Sequence, residues 1–124
     1  ERLSNIAYNS LKDVPYLIVY RSNGAFYMSV VFNEASLNDR QTLPIKQPEI
    51  RQYVEKLTSE RIEYDKRFVY YLLGSTGICV VPLTSFFTSV PGFRMTLLDR
   101  DADKFEYIMK TLAEKTVEYI ESSH

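Results

Sequence analysis

The chain has 124 residues, of which 45% are hydrophobic, 14% aromatic and 25% charged, and its formal net charge is −1 at pH 7. This composition is typical of one globular domain, which we expect to span residues 1–124. Because Lys and Arg (15) nearly balance Asp and Glu (16) without long runs of one sign, nucleic acid and anionic membrane are poor candidates as partners.

The sequence contains one cysteine, Cys79, and one histidine, His124. Without a second cysteine or an internal histidine, the chain lacks the residues for a disulfide, a zinc site or a His-dependent nucleophile. It also has no signal-peptide pattern and no apolar run of about 18 residues. We therefore expect a cytoplasmic domain without a metal, in which Cys79 is a buried small hydrophobic residue.

The first third of the chain predicts a helix and a β-hairpin. Apolar residues at helical spacing predict a short helix over residues 2–12, and Pro15 blocks its continuation. Residues 16–22 and 25–32 are rich in β-branched and aromatic types, and Asn23-Gly24 between them is typical of a hairpin turn. One face of the second strand is expected to belong to the core: Phe26, Met28, Val30 and Phe32.

The middle of the chain predicts a connection and two helices. Residues 33–47 show no period, which indicates a surface connection that is long enough to have a function or to be partly mobile. Pro48 fits the first turn of a helix that reaches about Ser59, and a second helix is predicted over residues 62–73 with Gly74 as its C-terminal cap. The inner side of the first of these helices is expected to carry Ile50, Val54 and Leu57.

The last third of the chain predicts two strands and a long helix. Residues 77–81 read as a buried strand ended by Pro82, and residues 93–98 as a further strand. The clearest helix follows, with an apolar stripe of period near 3.6: Phe105, Ile108, Met109, Leu112, Thr116 and Ile120. The order α-β-β-α-α-β-β-α predicts an α+β two-layer sandwich, in which helices cover a small mixed or antiparallel sheet of about four strands.

Arg94 stands near the start of the last predicted strand, between Phe93 and Met95. These apolar neighbours indicate a partly desolvated guanidinium, which needs an anion. The guanidinium can bind a carboxylate through two parallel hydrogen bonds, so Arg94 is a candidate for binding an acidic ligand. The alternative, which spacing alone favours, is a structural ion pair with an acidic side chain of the chain itself.

Three segments together resemble a known family: SNGAFYMSVVF (residues 22–32), LLGSTGICVVP (72–82) and GFRMTLLD (92–99). In this order and at these distances they are similar to the C-terminal part of fold-type-I aminotransferases, which depend on pyridoxal phosphate. Relatives of alanine and aspartate aminotransferases share a Gly-Ala-Phe-Tyr strand, a Leu-Leu…Gly-Ile/Val-x-Val-x-Pro unit and a Phe-Arg-x-Thr/Ser strand. Each motif alone is weak, but the three together are fairly specific and are distributed between residues 22 and 99.

The resemblance implies that the chain is the C-terminal small domain of an enzyme that exchanges an amino group between an amino acid and a 2-oxo acid. It implies that Arg94 binds the substrate α-carboxylate and that Gly24, Ala25 and Phe26 lie at the substrate end of the domain. For Phe26, packing in the core is the alternative. The resemblance also implies that a large domain of the same parent chain binds pyridoxal phosphate and that the parent is a homodimer.

The chain departs from the family pattern in two respects. The family usually continues its Val-x-Pro unit as Pro-Gly-Ser/Ala-x-Phe-Gly, whereas segment 82–87 lacks both glycines, so the resemblance does not imply a particular substrate. The family's cofactor lysine follows a Ser-x-x-Lys pattern, and none of the lysines here has a serine three residues before it. We therefore expect no catalytic and no cofactor-binding residue in this chain, which should not transaminate alone.

Two other functions stay open at the level of sequence. One is a non-catalytic module that binds a carboxylate metabolite or mediates assembly, and the other is part of a pyridoxal-phosphate lyase or synthase of the same superfamily. The first helix begins at Glu1 without a methionine, so we expect it to continue a helix of a preceding domain in a truncated chain.

Overall fold

The computed structural model describes residues 2–21, 27–86, 89–96 and 102–123. The predicted order of helices and strands is confirmed, and two 3-10 turns, Glu34–Ser36 and Leu83–Phe86, are added to it. The helices are α1 (Arg2–Leu11), α2 (Pro48–Ser59), α3 (Tyr64–Thr76) and α4 (Ala102–Glu121), and the strands are β1 (Leu17–Arg21), β2 (Tyr27–Phe32), β3 (Val81–Pro82) and β4 (Gly92–Thr96).

The four strands form one antiparallel sheet in the order β1-β2-β4-β3. β1 and β2 pair as the predicted hairpin, with Val19 opposite Val30, and Val30 lies in turn opposite Phe93 of β4. Residues 97 and 98 of the last predicted strand lie outside the described residues. The fold is an α+β two-layer sandwich, as the sequence predicts.

The core lies between one face of the sheet and the helices. Met28, Val30 and Phe32 are buried on this face, which confirms the alternation predicted for β2, while Phe26 lies outside the described residues. The rings of Phe32, Phe68 and Phe93 contact one another with centroids 5.2–5.7 Å apart. These aromatic side chains join the sheet to α3, and large apolar area of this kind dominates the stability of such a core.

α4 buries the stripe that the sequence predicts, whereas α2 does so only in part. Within α4, the buried members of the stripe are Phe105, Met109, Leu112, Thr116 and Ile120. In α2, Val54 is buried but Ile50 is 39% exposed, so its predicted inner position is wrong. Thr58, one turn beyond Val54, is buried instead, and its hydroxyl donates a hydrogen bond of 2.8 Å to the Val54 carbonyl. This bond satisfies the hydroxyl inside the core.

The prediction that Gly74 caps α3 is wrong. The helix continues to Thr76, and Gly77 ends it with φ = 79°, donating its N–H to the Leu73 carbonyl at 2.8 Å. Gly74 instead faces the connection before α2, because a Cβ there would lie 2.9 Å from Ile45 Cδ1 and 3.1 Å from Val54 Cγ2. The missing side chain therefore lets these elements approach closely.

The prediction of a buried strand over residues 77–81 is wrong. β3 contains only Val81 and Pro82, Val81 is 44% exposed, and Cys79 is exposed rather than buried. The segment is apolar, but of its residues only Val81 enters the sheet, at the edge. Val80 is buried in the core, and Ile78 is partly buried against it.

The prediction that residues 33–47 form a surface connection is wrong for part of its length, although most of its described residues are exposed. Gln41, Leu43 and Ile45 are buried in alternation, as in an extended chain packed on a core. The Gln41 amide donates to the carbonyls of Ser36 (2.6 Å) and Ile120 (2.9 Å), which ties the connection to the end of α4. The alternation of buried and exposed residues is not visible in the sequence, because one of the buried positions is the polar residue Gln41.

Candidate functional site

Arg94 occupies the middle of β4, on the face of the sheet opposite the core. Its neighbours Phe93 and Met95 are buried on the core side, so the side chain of Arg94 points the other way. Arg94 lies opposite Ser29 of β2 and Val81 of β3 in the sheet register. The residue is partly exposed, while its Nε atom is buried. Phe93 and Met95, the apolar neighbours noted in the sequence, therefore hold β4 against the core and do not surround the guanidinium of Arg94.

The face that carries Arg94 is partly apolar and open. Ile18 and Tyr20 of β1 are each 55% exposed, and Val81 of β3 is 44% exposed. Tyr20 is paired with Ser29, so Tyr20, Ser29, Arg94 and Val81 form one continuous row across all four strands. A cation therefore stands among exposed apolar side chains in the centre of the sheet, where covering the face would remove water from it.

Gly24, Ala25 and Phe26, which the sequence places at the substrate end, lie outside the described residues. Their relation to Arg94 stays a prediction. The described residues on either side of them are Arg21, the last residue of β1, and Tyr27, the first residue of β2.

Asp65, in the first turn of α3, is fully buried and accepts three hydrogen bonds from outside its helix. Its Oδ1 accepts from the Thr84 hydroxyl at 2.6 Å, and its Oδ2 accepts from the backbone N–H groups of Thr84 (3.0 Å) and Gly92 (3.2 Å). A buried carboxylate requires such donors, because burial without them is strongly unfavourable. The bonds join α3 to the start of β4.

Arg67 follows Asp65 by two residues in α3 and is 9% exposed. Residues at this spacing lie on different sides of a helix. Its Nε donates to the Gln41 carbonyl at 2.9 Å and its Nη1 to the Thr58 carbonyl at 3.3 Å, while the guanidinium lies 5.2 Å from the centre of the Tyr71 ring. Burial raises the pKa of the nearby Tyr119 phenol, and the charge of Arg67 opposes this shift. Arg67 is therefore a structural cation that holds three segments together.

Sequence reasoning did not single out Asp65 or Arg67. Both stand in the stretch Tyr-Asp-Lys-Arg, which looks like the solvated first turn of a helix. Their partners lie 9 to 27 residues away along the chain, so no local pattern indicates them. The weak signal available was an acidic and a basic residue directly before the buried Phe68.

A polar cleft lies beside the connection between α2 and α3. Its walls include Arg61, Arg67 and Thr84, together with the acidic residues Glu60 and Glu63. Asp39 and Glu55 also line it, so carboxylates outnumber arginines and do not favour an acidic ligand. Arg94 is not among the described residues that line this cleft.

The lysines of this chain do not fit the role of a cofactor-binding amine. Lys66 is hydrogen-bonded to Glu63 at 3.0 Å, and this carboxylate raises the pKa of Lys66 and so favours the unreactive ammonium form. Lys115 contacts Glu118 at 3.1 Å, and the other lysines are exposed. Among the described residues, no group of three or more His, Cys, Asp or Glu side chains could hold a metal ion. No helix in the described ranges is long and apolar enough to cross a membrane.

Comparison with known proteins supports the resemblance to aminotransferases. The chain is 50% identical over 122 residues to an uncharacterized aminotransferase of Methanocaldococcus jannaschii. The match includes 98% of this chain but 28% of that relative, so the chain spans little more than a quarter of the relative's length. No family model matches the chain. The resemblance found in the sequence is confirmed by this similarity.

Proposed function

We propose that this chain is the substrate-binding small domain of a pyridoxal-phosphate-dependent aminotransferase. The observation that carries the proposal is the 50% identity to an aminotransferase over 98% of the chain, which spans 28% of that relative. In this proposal residues 1–124 form one domain, and the rest of a cytoplasmic, homodimeric parent chain supplies the large domain. The reaction exchanges an amino group between an amino acid and a 2-oxo acid.

Arg94 binds the α-carboxylate of the substrate in this proposal. Its position on a central strand supports the role, since the buried neighbours Phe93 and Met95 hold the backbone in place. A planar guanidinium fixed in this way can donate two parallel hydrogen bonds to a carboxylate. The specificity of the enzyme for an acid would then come from charge and geometry together.

The open face of the sheet supports a partner that covers it. When the large domain closes over the exposed side chains of Tyr20 and Val81, water leaves the surroundings of Arg94 and its attraction to a carboxylate increases. Closure of this kind also fixes the orientation of the bound substrate. Gly24, Ala25 and Phe26 would lie at the substrate end of the domain.

Pyridoxal phosphate belongs to the large domain in this proposal. The residues of this chain do not fit the cofactor, because the described lysines are exposed or paired with glutamates and none follows the Ser-x-x-Lys pattern. The chain's own contribution is binding and orientation of the substrate carboxylate. We therefore expect the 124-residue chain alone to be inactive in transamination.

The test is steady-state transamination by the full-length parent protein and its variants. Arg94→Ala should lower kcat/KM by a factor that corresponds to a loss of about 3 to 5 kcal/mol of transition-state stabilisation, with a large rise in KM. The reason is that a desolvated charge pair is lost. Arg51→Ala, which removes an exposed arginine of α2, is the matched control and should behave as the wild type. Wild-type kinetics for Arg94→Ala, or transamination by the isolated chain, would contradict the proposal.

A further inference from the structure

We infer that Asp65 is a positioning residue. It holds Arg94 in the place where it binds a carboxylate, because it accepts hydrogen bonds from both ends of the segment between β3 and β4. This inference rests on the proposed function, because it gives Asp65 a role that acts through Arg94. Asp65 itself lies on α3 and is fully buried, so its effect must pass through the residues that it binds.

One carboxylate binds both ends of the connection from β3 to β4. Thr84, two residues after the end of β3, donates both its hydroxyl and its backbone N–H, and Gly92, the first residue of β4, donates its backbone N–H. The two anchoring points enclose the whole loop that leads to Arg94. Arg94 lies only two residues beyond Gly92, so displacement of Gly92 would move it.

The pairing of β3 with β4 is too short to hold this region alone. It consists of two residue pairs, Val81 with Arg94 and Pro82 with Phe93. Proline has no N–H group and cannot donate to the ladder, which weakens the pairing further. The edge beside Arg94 therefore depends on contacts from outside the sheet, and Asp65 supplies three of them.

The direction of these bonds distinguishes positioning from ordinary helix capping. An acidic residue in a first turn usually stabilises the free amides of its own helix. The described hydrogen bonds of Asp65 all come instead from Thr84 and Gly92. Gly92 also admits no side chain, because a Cβ there would overlap the Val30 carbonyl and lie 2.7 Å from Leu83 Cδ1. The packing at this joint leaves little freedom for β4 to shift.

Three single variants of the full-length holoenzyme separate the possible roles of Asp65. Asp65→Ala removes all three acceptor contacts, and Thr84→Val removes the hydroxyl contact alone. Asp65→Asn is the conservative control, since its amide oxygen can accept from both N–H groups and its NH₂ can donate to the Thr84 hydroxyl. We expect Asp65→Ala to raise KM for both amino and 2-oxo acids on the order of 10-fold or more, with a smaller change in kcat. Asp65→Asn should stay within about threefold of the wild type.

The decisive experiment combines these variants with Arg94→Ala. If Asp65 acts through Arg94, Asp65→Ala should raise KM in the wild-type background but add almost nothing in the R94A background. Affinity for pyridoxal phosphate should be unchanged throughout. If Asp65→Ala does not fold, Thr84→Val serves in the same cycle, with a smaller rise in KM that also disappears in the R94A background.

Two results would overturn the inference while leaving the proposed function intact. One is a wild-type KM for Asp65→Ala, or for Thr84→Val where it takes its place, beside a strongly impaired Arg94→Ala. The other is the same factor of impairment in both backgrounds, which is the behaviour of a general stability residue. Wild-type kinetics for Arg94→Ala alone would instead overturn both the proposed function and the inference that rests on it.

Discussion

Ser29 and Arg94 lie directly opposite each other on β2 and β4, on the open face of the sheet. Directly opposed residues of antiparallel strands have Cβ atoms about 4.5 to 5.5 Å apart, which is close enough for their side chains to interact. Ser29 is small and carries no charge, so in the proposed function it does not compete with an acid for the guanidinium.

A carboxylate placed at residue 29 should therefore compete with the substrate. We expect Ser29→Asp in the full-length enzyme to raise KM by about 10-fold, because its charge forms a cross-strand pair with Arg94. The effect should decrease at high salt, which screens an exposed pair. Ser29→Asn has nearly the same shape without the charge and should keep KM close to that of the wild type. Equal KM values for the two variants would contradict a role of Arg94 in binding the acid.

Gly92 should tolerate no side chain. A Cβ there would overlap the Val30 carbonyl, which is backbone and cannot move aside, so Gly92→Ala should lower the free energy of unfolding by about 3 kcal/mol. Gly77→Ala is a suitable comparison, because the space around Gly77 is open and only its φ of 79° is unfavourable to alanine. It should cost about 1 kcal/mol. Urea unfolding of the chain measures both values, and an equal cost for both variants would contradict the close approach of β2 to β4.

Tyr119 should make the chain sensitive to alkaline pH. Burial raises the pKa of its phenol, so the folded state keeps the proton at a pH where the unfolded state releases it. Above about pH 10, the usual pKa of tyrosine, the free energy of unfolding should therefore fall by up to about 1.4 kcal/mol per pH unit from this residue. Below that pH, Tyr119 contributes nothing to the pH dependence of the free energy of unfolding.

Tyr119→Phe should remove this part of the pH dependence. The measurement is urea unfolding of the wild type and the variant between about pH 8 and pH 11. Tyr53→Phe, which changes a tyrosine of α2 that is 63% exposed, is the control and should keep the wild-type slope. A Tyr119→Phe curve parallel to that of the wild type would show that the phenol is not protected in the folded state.

Elements with strong local signals were predictable from the sequence. The apolar stripe of α4, the start of α2 at Pro48 and the pairing of β1 with β2 each follow from residues close together in the chain. The position of Arg94 on a strand was predictable in the same way. Its row with Ser29 and Val81 was not, because the row depends on the register of three strands that are distant in sequence.

The wrong predictions share a physical cause, which is tertiary packing that local patterns do not contain. Gly74 and Gly77 could each end α3 by their chemistry, and the close approach at Gly74 decides in favour of Gly77. Cys79 stands in an apolar stretch that suits a buried strand, but the strand contains only Val81 and Pro82, and Cys79 is exposed before it. Asp65 and Arg67 look like surface charges until their distant partners are known.

The most direct test of the account compares an amino acid substrate with its carboxamide in the full-length enzyme. The carboxamide keeps the shape of the acid but lacks the charge that Arg94 is proposed to bind. The wild type should prefer the acid in kcat/KM by a factor on the order of 10³, and Arg94→Ala should reduce this preference to about 10-fold or less. If Arg94→Ala keeps the full preference of the wild type for the acid, another residue binds the carboxylate and the central claim is wrong.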